Sequence, residues 1–182
     1  MRNGVQHIRT HVDVTDPELT AFQAMLEVKE EVKDKVDIQL IAFPQEGMYA
    51  YRDGDKLVEQ ALKMGADVVG GIPHYEFTRE DGVKFVKKAI ELASRYDKLV
   101  DIHCDETDDD QSRFVEMIAA ETYFSGLKDR VTASHTCAMG SYNNAYAFKL
   151  MSKLAQSGII RSVRKGRTIF EKKPAVIMTD IF

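Results

Sequence analysis

The residues of this 182-residue chain best equipped for chemistry are His103, Cys104, Asp105 and Glu106, which follow directly on the run Leu99-Val100-Asp101-Ile102. An imidazole ligates zinc or iron, and a nearby carboxylate that is not a ligand carries protons. Positions three apart on a continuing strand face opposite ways, so His103 and Glu106 cooperate only if the strand stops near Asp105 and the chain turns. The acidic stretch Thr107-Asp108-Asp109-Asp110 supports such a stop, and its main expected task is to cap the helix that follows. Cys104 alternates to the other face and has no Cys-x-x-Cys partner, so it is not read as a ligand. Cys137 is read as a small buried filler.

Other apolar runs end in the same way. Thr10-His11-Val12-Asp13 closes one, Pro44-Gln45-Glu46-Gly47 follows a second, Pro73-His74-Tyr75-Glu76 a third, and Ser134-His135-Thr136 closes a fifth. A single histidine at a strand end is commonly an ordinary polar side chain. Four of the five histidines at such ends are a stronger signal, and His7, at a run's start, belongs to the opposite end of the fold.

The elements that must position these residues follow from periodicity. Five runs rich in β-branched residues, at 7–13, 37–43, 66–73, 98–105 and 131–136, are predicted strands. The stretches between them carry apolar residues at helical spacing. Asp16-Pro17 is read as the first helix start, Thr78 with Asp81 as the cap of the third, and Tyr142, Tyr146, Phe148 and Leu150 as the fifth. Strand starts recur at intervals of 29 to 33 residues, the length of a strand, a helix and two short loops. Strict alternation predicts a parallel α/β sheet with crossover helices, either doubly wound and open or part of a (β/α) barrel. In both, the carboxyl ends of the strands converge on one face, where active sites lie. Gly70-Gly71 lies within a strand and forms no phosphate loop, and no serine nucleophile elbow is present.

Composition bounds the rest. Hydrophobic residues are 44% and charged residues 30% of the chain, and the net charge is −4. These values predict one soluble domain and give no reason to invoke nucleic acid or a membrane as partner. No signal-peptide pattern or run of about 20 apolar residues is found, and two cysteines make no disulfide framework, so a cytoplasmic location is expected.

Several of these segments together resemble the cytosine deaminases of the metal-dependent amidohydrolase superfamily. The resemblance is carried by Thr10-His11-Val12-Asp13, Ala42-Phe43-Pro44-Gln45-Glu46-Gly47, Pro73-His74, Glu76-Phe77-Thr78-Arg79-Glu80, Asp101-Ile102-His103-Cys104-Asp105-Glu106, Gln111-Ser112-Arg113-Phe114-Val115-Glu116 and Thr132-Ala133-Ser134-His135-Thr136, in order. It runs from about residue 3 to about residue 159. It implies a partial (β/α) TIM-type barrel of about five βα units over residues 1–160. It further implies hydrolytic loss of an exocyclic amine from a pyrimidine or related ring by metal-activated hydroxide. His103 then matches a metal ligand, Glu106 the proton carrier, His135 a histidine beside the activated water, and Gln45 the amide that reads the ring edge. The implied cofactor is iron or zinc, and the implied partner is a small nucleobase-like molecule.

The chain departs from the family where His-x-His is expected on the first barrel strand and aspartate on the eighth; neither is matched. Metal binding by the chain alone is therefore expected to be weak or incomplete, and its unaided activity absent. The alternative is a non-catalytic half-barrel that self-associates or complements a separately encoded half. Residues 161–182 are expected to be a basic and apolar tail outside the family pattern.

Overall fold

The computed structural model describes residues 4–162, so the expected tail falls almost wholly outside the described residues. Six parallel strands alternate with five helices: β1 His7–Asp13, α1 Thr20–Val32, β2 Asp37–Phe43, α2 Gly54–Met64, β3 Val68–Gly71, α3 Arg79–Tyr96, β4 Leu99–Cys104, α4 Phe114–Ser125, β5 Val131–His135, α5 Asn144–Ser157 and β6 Ile160–Ser162. The strands pair in chain order, β1 through β6, every pair parallel. A doubly wound sheet reverses its strand order; this one does not, and it is a half-barrel of the (β/α) type.

Curvature follows from side-chain contacts. Strands β1 and β4 are separated by β2 and β3, about 14 Å in a flat sheet at ordinary strand spacing. Yet Arg9 of β1 reaches Asp101 of β4 at 3.3 Å, and the rings of His11 and His103 lie 4.4 Å apart. The sheet is therefore strongly curled, with odd-numbered residues of β1, β2 and β4 on its concave face. Gly70 of β3 allows this: a Cβ there would stand 2.4 Å from Ile41 and 2.7 Å from Phe43. Ile41, Phe43, Val68 and Ile72 form a small buried cluster inside the curve. The larger core, with Leu40, Val69, Phe85, Val86, Val100, Ile102, Val115 and Ile118, lies between the convex face and the helices.

Boundaries differ from the sequence expectation in instructive places. Helix α1 starts at Thr20 rather than at Pro17, because Asp16 caps a separate turn: its carboxylate accepts from the Glu18 and Thr20 amides. The Thr78 cap stands as expected, its hydroxyl accepting from the Asp81 amide at 3.0 Å. Phe148 of α5 is exposed and Tyr142 lies before that helix; Leu150 and Leu154 make the buried contacts. Strand β6, which periodicity did not reveal, adds three residues against β5.

Candidate active site at the carboxyl rim

The turn on which His103 and Glu106 depend is present. Strand β4 ends at Cys104, and Asp105 has φ 54°, in the left-handed region. A non-glycine residue there carries strain of roughly 1–2 kcal/mol. It is compensated by what the buried Asp105 carboxylate holds: the Phe114 amide at 2.9 Å, the Val115 amide at 2.8 Å and the Ser112 hydroxyl at 2.8 Å. Asp105 thus caps α4 from the far end of the loop that joins them, reaching amides nine and ten residues on. The acidic run 108–110 does not cap the helix as expected; Asp109 instead shapes the loop, accepting from the Gln111 and Ser112 amides.

The turn at Asp105 brings Glu106 to His135. Strand alternation assigns His135 to the convex side with Val131 and Ala133, but φ is 69° at His135 and 53° at Thr136, and alternation stops there. The His135 ring consequently lies 4.5 Å from that of His103, and its Nδ1 lies 3.3 Å from Glu106 Oε1. One donor atom from each of His103, Glu106 and His135 falls within 4.8 Å of the others. The three residues differ in exposure: His103 is buried, His135 half-buried and Glu106 exposed.

His103 is the electrostatic centre. Its Nε2 is buried without a hydrogen-bond partner. Burial, followed by the nearby His11, His135 and His74 imidazoles, pushes its pKa down to about 3, so the ring is neutral at ordinary pH. His74 is also held below the usual histidine range, chiefly by burial. The Phe43 ring packs edge-on against His103 and His11, 4.8 Å from each.

Gln45 stands two residues beyond Phe43, with an exposed side chain and an amide N–H that donates to Asp13 Oδ1 at 3.3 Å. The structure brings His103, Glu106 and His135 together and leaves Gln45 on the adjoining loop. His11 is a member of the cluster that the residue-by-residue reading did not single out; its place at the end of a predicted strand was the available signal. His7 lies exposed at the far end, paired with Asp37 at 2.9 Å, as a strand-start position requires. Cys104 packs in the core on the convex side, whereas Cys137 is exposed rather than a buried filler.

A profile described as Amidohydrolase family matches residues 2–164. Among solved structures, 5-methylcytosine deaminase from Klebsiella pneumoniae liganded with 5-fluorocytosine superimposes with a TM-score of 0.85 at 59% identity. That match covers 87% of this chain and 38% of the other. N-isopropylammelide isopropylaminohydrolase from Burkholderia multivorans ATCC 17616 superimposes with a TM-score of 0.77 at 32% identity, over 88% of this chain and 41% of the other. The N-isopropylammelide isopropyl amidohydrolase of Pseudomonas sp. (strain ADP) is 38% identical over 135 residues, 73% of this chain and 33% of its own. The chain therefore spans between a third and about two fifths of the length of these relatives.

Proposed function

The chain belongs to the amidohydrolase family, and on that premise we propose that its rim performs part of a cytosine deaminase-type hydrolysis of a C–N bond. The observation that carries this reading is the convergence of His103, Glu106 and His135 within 4.8 Å. The donor set suits a divalent cation: two imidazoles and a carboxylate, with His103 neutral and its buried Nε2 lacking a hydrogen-bond partner. A cation such as zinc or iron held there would supply the Lewis acidity that makes water a nucleophile near neutral pH.

The chain's own residues would act as follows. Gln45 presents a carbonyl and an amide N–H2, a paired acceptor and donor that orient a flat pyrimidine edge. Water adds to the ring carbon bearing the exocyclic amine, forming a C–O bond. Glu106 takes the water's two protons in turn, passing the first to the ring nitrogen and the second to the amine. The C–N bond then breaks, ammonia leaves and an oxo group remains. His135, 3.3 Å from Glu106, holds the attacking oxygen in place.

With Glu106 employed as proton carrier and His135 beside the attacking oxygen, His103 alone is left to hold the cation, fewer than the about three protein ligands that catalytic zinc sites use. The unaided chain accordingly binds the cation weakly and turns over little. A second reading, a half-barrel that self-associates or complements another half, is favoured by the sheet edges: among the described residues β1 pairs only with β2, and β6 only with β5. Exposed strand edges invite pairing with another chain. A reducing cytoplasm suits two cysteines that form no disulfide, Cys104 and Cys137, and a small heterocycle is the partner this reading calls for.

Titration of the full chain with cobalt(II), together with its mass by light scattering and the loss of cytosine, tests these readings. Expected are weak cobalt uptake abolished by His103→Ala, a mass that rises with concentration, and turnover reduced at least about 100-fold by Glu106→Gln where any is seen. Cobalt uptake untouched by His103→Ala would sink the site assignment, and a concentration-independent monomer mass would sink the self-association reading.

A further inference from the structure

We propose that Glu76 is a positioning residue whose buried carboxylate fixes the loop carrying Gln45, and with it the place of the Gln45 amide at the rim. The inference rests on the reading of Gln45 as the ring-orienting group.

Glu76 follows the short turn after β3, two residues beyond His74, and its carboxylate reaches into the loop between β2 and α2. Its Oε1 accepts from the Met48 amide at 2.7 Å and the Tyr49 amide at 3.2 Å. Its Oε2 accepts from the Tyr49 amide at 3.1 Å and the Ala50 amide at 2.8 Å. Three successive backbone N–H groups thus converge on one carboxylate, an anion nest filled from within the protein. Hydrogen bonds to an ionised acceptor are about twice as strong as neutral ones, and these lie at a largely buried position.

The rest of the loop is shaped to this contact. Gly47 has φ 94°, and a Cβ there would stand 3.1 Å from Glu76 Oε2 and 3.0 Å from the Ala50 Cβ. The next side chain, Met48, is buried in the main core. On the other flank, the Gln45 backbone N–H donates to Asp13 and the Gly47 backbone N–H to the Pro44 carbonyl at 3.1 Å. The loop carrying Gln45 is therefore held between a carboxylate at the end of β1 and one just after the turn that follows β3.

Glu76→Gln in the full chain tests this through two readouts. Amide hydrogen exchange at Met48, Tyr49 and Ala50 is expected to accelerate at least about tenfold, with Val69 and Val100 unchanged. Affinity for 5-fluorocytosine is expected to fall roughly tenfold while cobalt(II) affinity stays level, because the loop moves and the histidines do not. Gly47→Ala, which crowds the same contact, is expected to give the same pattern. Unchanged exchange at residues 48–50 would overturn the proposal, as would equal losses of ring and cobalt affinity, which mean general loosening. If the unaltered chain takes up no 5-fluorocytosine, or Gln45→Ala takes it up equally well, the reading of Gln45 fails. The exchange measurement still decides whether Glu76 holds the loop.

Discussion

His103 concentrates the electrostatics of the rim into one side chain. In the unfolded chain an imidazole takes up a proton near pH 6.5. In the folded, metal-free chain burial and three neighbouring imidazoles delay that to about pH 3. Between those values the unfolded state binds more protons, so stability is complete above about pH 6.5 and declines as the pH falls. The expected contribution is at most roughly 1.4 kcal/mol per pH unit. His103→Asn removes it, so urea unfolding with chelator present should show a flatter decline between pH 7 and 5 for the variant. Parallel curves for the two proteins would contradict the assignment.

At the scale of elements, strand ends are made into a site by loops that abandon strand geometry. Asp105 does this for β4, with a left-handed backbone and a carboxylate that caps α4 through the Phe114 and Val115 amides. Asp105→Ala leaves two buried amides and the Ser112 hydroxyl unmatched and keeps the strained backbone. The expected loss is about 2–4 kcal/mol of stability. Asp105→Asn keeps one carbonyl oxygen and tolerates the left-handed region, so it should cost clearly less. Equal denaturation midpoints for the two variants would show that capping is not what Asp105 contributes. His135 and Thr136 do the same for β5 with positive φ, and Glu76 does it for the loop after β2 from a distance.

For the molecule as a whole, the decisive feature is curvature, and a polar strut spans it. Arg9 on β1 donates to Gln39 at 2.9 Å and pairs with Asp101 on β4 at 3.3 Å; Asp101 also accepts from Ser134 on β5 at 2.7 Å. Asp101 is fully buried and the Arg9 side chain is 14% exposed. This layer lies one side-chain step below His11 and His103, so it sets the distance across the histidine layer. Asp101→Leu strands a nearly buried guanidinium, with an expected cost of about 3–5 kcal/mol. Combining it with Arg9→Met should cost less than the sum of the two single changes. A strictly additive double-mutant cycle by urea unfolding would show that the two side chains do not act as a pair.

Much of this was legible in the residues. Apolar runs bounded by turn residues located β1 through β5, because a strand covered on both faces leaves a continuous apolar signature. The intervals of 29 to 33 residues required a parallel sheet, and a parallel sheet gathers its carboxyl ends on one rim, which placed His103, Glu106 and His135 in the same region. Strand β6, three residues long, was too short to leave a period. The helix cap at Asp105 was hidden because it acts over ten residues, and local patterns favoured the adjacent acidic run. Only the tertiary structure decided which way each side chain faces after its strand ends, since left-handed backbone at Asp105, His135 and Thr136 overrides the alternation that a sequence encodes. It also decided the curl that brings β1 against β4. Contacts between strands three apart depend on the radius of the whole sheet, and no local run of residues carries that radius.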